Sequence, residues 1–117
     1  MRLKAKIWVQ AFLRICTVHN ANAVVVRHGD DDAGALFVKV VIDRTTVRLY
    51  GPDFAGSFDA DAIHRLVPVF DELERPEPEA DAHVAEQARF DPDLWVIEVD
   101  VCPQPDVLHD WLTNPGL

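Results

Sequence analysis

The order of elements in this chain predicts a single α+β domain, a mainly antiparallel sheet of about four strands with helices packed on one face. Three observations carry that prediction. Polar residues recur at Arg2, Lys6, Gln10, Arg14 and Thr17, which is helical spacing. Three short β-branched stretches follow between Ala23 and Tyr50, separated by Gly/Asp-rich or Asp/Thr-containing turns. Then Phe90-Asp91-Pro92-Asp93 forms a turn signal that leads straight into Leu94–Asp100, the best strand in the chain. The 117 residues, 49% of them hydrophobic, suit one core and one domain over 1–117.

Taken in order, the first helix spans Leu3 to His19, with Trp8, Ala11, Phe12, Ile15, Ile7 and Val18 available to cover a sheet. Asn20 or Asn22 can supply its left-handed cap. Ala23–His28 and Ala35–Ile42 read as a hairpin across the loop 29–34, and Thr46–Tyr50 adds a third strand of a meander that stops at Gly51-Pro52. Asp59–Leu73 has the apolar spacing of a second helix, interrupted at Pro68 by the missing amide and the ring's clash with the preceding turn. A stiff acidic linker, Arg75–Glu79, precedes a helix from Glu79 to Arg89 whose apolar face is thin.

In the strand that follows, Trp95, Ile97 and Val99 point one way, while Leu94, Val96, Glu98 and Asp100 point the other. Asp106–Leu112 closes the chain as a short helical piece. Trp8 and Trp95 are the natural centre of the core, and Trp111 either folds back on the body or pairs with a second copy.

The net charge of −9 is divided unevenly: residues 1–29 carry five Lys or Arg and no acid, whereas 51–117 carry sixteen acids against three Arg. The acidic total opposes nucleic-acid binding by the whole surface, so nucleic acid is an unlikely partner class. Two distant cysteines fit a reducing cytoplasm rather than a disulfide framework. A signal peptide is opposed by Gln10 and Arg14, and no run approaches the ~20 apolar residues of a membrane span.

The candidate chemistry is sparse. Arg27, Lys39, Arg48, Glu98 and Asp100 alternate with apolar neighbours and are assigned to one charged sheet face, either as a ladder of ion pairs or as a site for an anionic or zwitterionic ligand. Asp30-Asp31-Asp32 lacks the ligand pattern of a calcium loop, and the five His have no metalloprotease spacing, so neither a metal nor a cofactor is implied. Ser57, the only serine, stands outside any nucleophile elbow, and Cys16 reads as a core residue.

Several segments together resemble the bacterial family known as domain of unknown function 1491. They are Leu3–Val9 with Ala11 and Arg14; Gly29-Asp30 with Ala33-Gly34-Ala35 and Val38-Lys39-Val40; Tyr50-Gly51-Pro52; and Arg89–Val99. The resemblance covers residues 3–100, leaves 101–117 as a tail particular to this chain, and implies a small bacterial protein without supplying a mechanism.

Two functional readings follow. The first is a non-enzymatic protein-binding or adaptor module, engaging a protein partner or a second copy through two surfaces, the stripe Lys6, Gln10 and Arg14 of the first helix and the acidic back half of the chain. The second is a small enzyme for an anionic or zwitterionic metabolite, its site where the Asp91–Asp93 turn meets Tyr50-Gly51-Pro52 and Lys39, with Asp93 as base; Trp95, next to that turn, is counted among the binding residues.

Overall fold

The computed structural model describes residues 3–53 and 65–116. Its elements are α1 (Ala5–Val18), β1 (Ala23–Arg27), β2 (Leu36–Val41), β3 (Thr46–Pro52), β4 (Leu66–Pro68), β5 (Arg75–Pro76), α2 (Glu77–Phe90), β6 (Trp95–Val99) and α3 (Pro105–Thr113). The α+β class holds, with three helices and a six-stranded mixed sheet among the described residues.

The sheet runs β1-β6-β2-β3-β4, with β5 paired to β3. The expected hairpin of β1 with β2 is not formed, because β6 lies between them, antiparallel to β1 and parallel to β2. The reason is burial. Trp95, Val96, Ile97 and Val99 are all buried, and a strand apolar on both sides gains most from the middle of a sheet. The 28–35 loop crosses the start of β6 and is tied to it: Asp30 N–H donates to the Asp93 carbonyl at 2.9 Å, and Trp95 N–H to the Ala35 carbonyl at 2.7 Å.

Helices cover both faces of the sheet, not one. On the first face, Trp8, Phe12 and Cys16 of α1 and Leu108 and Leu112 of α3 pack with Val38, Val40, Tyr50, Ile97 and Val99. On the second, Ala80, Val84 and Ala88 of α2 meet Phe37, Leu94, Val96, Val47 and Leu49. Trp8 and Trp95 belong to the same first-face cluster, and Trp111 folds back onto Trp8 and Phe12, with ring centroids 5.5 and 5.7 Å apart. Ile7 and Val18 of α1, offered to the sheet by the apolar pattern, remain exposed.

Two further expectations are corrected. Residues 66–68 form a strand where a helix over Asp59–Leu73 was anticipated; the stretch 59–64 of that helix lies outside the described residues. Leu66–Pro68 pairs with Tyr50–Pro52 at the sheet edge, where Pro68's missing amide is tolerated. β3 also continues through Gly51 to Pro52 rather than stopping, since the absent Gly51 side chain leaves the space that the Phe37 ring fills: a Cβ there would lie 2.8 Å from that ring.

The ends of α1 and α2 follow local chemistry. Asn20, at φ 57°, takes the left-handed position after α1. α2 starts at Glu77, two residues before its expected start, with Pro78 in its first turn and Glu77 and Glu79 at its positive end.

Candidate functional site

The charged residues assigned to one sheet face are divided between two. In the β2–β3 register Lys39 stands opposite Leu49 and Val40 opposite Arg48, so Lys39 and Arg48 point to opposite sides. Lys39 and Glu98 are partners in the β2–β6 register and share the α2 face.

Lys39 is enclosed: its side chain is 13% exposed, and Nζ lies 2.9 Å from both Asp81 and Glu98 and 3.1 Å from Glu77. Burial disfavours its ammonium, but hydrogen bonds to Asp81, Glu98 and Glu77 outweigh it and raise the pKa above that of an ordinary lysine. An ammonium has three donors, and three carboxylates occupy them, so Lys39 is no anion receptor.

On the opposite face Arg48 is buried beneath α3, bonding Glu74 through Nε (3.1 Å) and an Nη (2.9 Å), and Asp106 at 3.0 Å. Tyr50, fully buried, shares a 2.8 Å hydrogen bond with His109 Nδ1. Burial raises the Tyr50 pKa against the opposing pull of Arg48, so the phenol stays protonated. These contacts fasten α3 to the sheet.

Asp93 and Trp95 belong to a third place, the corner where the 28–35 loop meets the start of β6. Trp95 Nε1–H donates to the Asp30 carbonyl at 2.8 Å, and the His28 ring lies 4.1 Å from the indole. Gly29 packs directly against this corner: a Cβ there would lie 2.6 Å from Trp95 Cδ1 and collide with the Asp93 carbonyl. The same loop caps α1, since the amides of Ala5 and Lys6 donate to the carbonyls of Asp32 and Asp31 at 3.2 and 2.9 Å. Asp30 accepts loop amides, Asp31 bonds His28, and Asp32 pairs with Lys4. Lys39, Tyr50 and Asp93 therefore occupy three separate places: the α2 face, the α3 face and the loop corner.

Lys6, Gln10 and Arg14 do form one exposed stripe along α1. Gln10 and Arg14 line a shallow groove of about 330 Å³ with Ile7, Ala11, Ile15 and Trp111. Lys6 and Arg14, like Arg27 and Arg44, make no ion pair among the described residues, whereas Lys4, Lys39, Arg48, Arg65, Arg75 and Arg89 all do.

Cys16 and Cys102 are free and buried. Burial, reinforced by Cys102, pushes the Cys16 thiol up to about 12, which leaves it inert as a nucleophile at neutral pH. Among the described residues no group of His, Cys, Asp and Glu is arranged to hold a metal ion, and no helix is long and apolar enough to cross a membrane. Ser57 lies outside the described residues.

The family model described as Protein of unknown function (DUF1491) matches residues 3–108. The chain belongs to this family. Similar solved structures agree: a DUF1491 family protein from Caulobacter crescentus CB15, in its crystal structure, has a TM-score of 0.69 and 35% identity over 87% of this chain and 90% of that one. The solution structure of protein Atu0922 from A. tumefaciens gives 0.68 and 33% over 85% and 86%. An NMR structure of a Caulobacter crescentus CB15 DUF1491 family protein gives 0.67 and 34% over 88% and 89%. No curated protein matches.

The DUF1491 segments quoted from the sequence now have a spatial sense: 3–9, 29–35 and 89–99 converge on the Trp95 corner. The match also extends to 108, into α3, beyond the family-like stretch 3–100 expected from sequence. Sequence reasoning missed Glu77, Asp81, Glu74, Asp106 and His109. Parity places a residue on a strand face, but it cannot say which helix covers that face. The one available signal was the acids spaced along Glu77-Pro78-Glu79-Ala80-Asp81, which mark a cation beneath that helix.

Proposed function

We propose that this DUF1491 chain is a protein-docking module that receives an acidic partner segment along α1. The observation that carries this reading is the pair Lys6 and Arg14, exposed and without ion pairs among the described residues in a chain of net charge −9. In so acidic a molecule, a cation left without a carboxylate is a local positive feature for steering and register. Gln10 stands between them, and Ile7, 45% exposed, adds apolar contact beside the Trp111 groove.

The experiment is affinity purification of the tagged protein from its native cytoplasm at low and moderate salt, compared with the variant carrying Lys6→Glu, Gln10→Glu and Arg14→Glu. The expected outcome is a stoichiometric acidic partner that salt weakens and the triple variant loses, with unfolding free energies equal within about 0.5 kcal/mol because the positions are exposed. Recovery of the protein alone, or a partner retained by the variant, overturns the reading.

A further inference from the structure

The second sheet face carries an opening that the docking stripe does not use. α2 packs over β2, β3 and β6, while the edge strand β1 extends beyond it, leaving Val24 and Val26 exposed, Val26 at 60%. Between β1 and α2 runs a groove of about 400 Å³, within the size range of small-molecule sites. Val26 and Val96 form its sheet side, and Val84, Ala85 and Ala88 its helix side.

The charged groups of the groove are sorted by type. Asp81 and Glu98 are among its lining residues, each bonded once to the saturated Lys39. A carboxylate accepts at about four lone-pair sites, so both keep acceptor capacity that Lys39 does not use. Arg27, also in the lining, donates one N–H to the Pro92 carbonyl at 2.9 Å and has no ion pair among the described residues, which leaves donors of its five-donor fork unassigned.

Register sets the scale of the ligand. Arg27 stands opposite Val96, whereas Glu98 lies two residues farther along β6 on the same face, so their backbone positions lie on a diagonal of about 7–8 Å between strands. Two extended residues span roughly 7 Å, the same scale.

We propose that this groove binds a linear zwitterion of about dipeptide length, its ammonium on Asp81 and Glu98, its carboxylate on Arg27, and its aliphatic middle along the valine and alanine walls. Lys39, which also lines the groove, is a positioning residue there: with its three donors occupied by Glu77, Asp81 and Glu98, it holds the two acceptors in place. Short peptides and ω-amino acids share this chemistry.

The test is an NMR titration of the methyl-labelled full chain with 6-aminohexanoate and with the dipeptide Ala-Val, against leucine, hexylamine and hexanoate as controls. The expected result is saturable shifts at the Val26, Val84 and Val96 methyls below about 10 mM for at least one zwitterion, with binding at least about tenfold weaker for every control. Tighter binding of Ala-Val marks a peptide ligand, and tighter binding of 6-aminohexanoate an ω-amino acid. Arg27→Gln and Asp81→Asn should each weaken binding about tenfold. Ala85→Trp, at an exposed helix position, should abolish it by filling the groove while leaving the remaining methyl spectrum intact. No saturable shift from either zwitterion, or an equal response to hexylamine, hexanoate and the zwitterions, overturns the proposal. So does binding that survives Ala85→Trp.

Discussion

The two faces of this sheet are made from the same strands by alternate residues, yet they are held to their helices by different forces. On the first face α1 buries Ala5, Trp8, Val9, Phe12 and Cys16, and its large rings interlock with Trp111. On the second, Ala80 is the single described residue of α2 that is fully buried, and Lys39 gathers Glu77 and Asp81 from that helix onto the sheet. One contact is broad and apolar; the other is narrow, with a charged clamp. A helix with a thin apolar face can still be fixed in register when a cation beneath it meets acids spaced four apart. The same thinness leaves room for a groove beside it.

The sharpest way to break that comparison is truncation on each side. Trp8→Ala should cost about 3–5 kcal/mol, and Val84→Ala only about 1 kcal/mol, measured by urea denaturation. Equal costs would mean that the second face holds the fold as firmly as the first.

A test of intermediate size lies at the corner where the loop meets β6. Gly29→Ala should cost about 3 kcal/mol, the upper end of overpacking, and should alter the near-ultraviolet dichroism of Trp95, because the added methyl meets backbone and indole rather than a flexible chain end.

A smaller effect than that of Gly29→Ala concerns the clamp itself. Lys39→Met leaves Glu77, Asp81 and Glu98 without their shared cation, and a loss of about 1–2 kcal/mol is expected for this partly solvated group. The pH dependence has a definite sign. The folded pKa is raised, so the folded state keeps its proton where the unfolded lysine releases it; the stabilisation is intact below the ordinary lysine value and is lost as pH rises beyond it. The variant should therefore lack that alkaline decline in stability, as read from denaturation midpoints between neutral pH and pH ~11. A parallel decline in both proteins would mean that Lys39 is not the titrating clamp.

Much of the fold was legible in local signals. The helical stripe of α1, the cap at Asn20, the three β-branched stretches and the turn before Trp95 all follow from spacing and backbone preference. Leu66–Pro68 did not, since its apolar residues satisfy helical spacing, while its partner strand lies elsewhere in the chain and wins through edge pairing. The α1 stripe was legible as a candidate site because exposure on a helix follows periodicity. The Lys39 clamp and the groove were not, because each depends on which helix covers which face.

The sequence by itself determined the α+β class, the exposed basic side of α1, and which residues of each strand share a face. These are local properties, set by helical and strand periods and by the special backbone of Asn and Pro. Only the tertiary structure decided that β6 separates β1 from β2, that Lys39 and Arg48 stand on opposite sides of the sheet, and that α2 covers the side away from α1. Strand order and layer assignment depend on where buried area is greatest across the whole chain, a global quantity that no short stretch encodes.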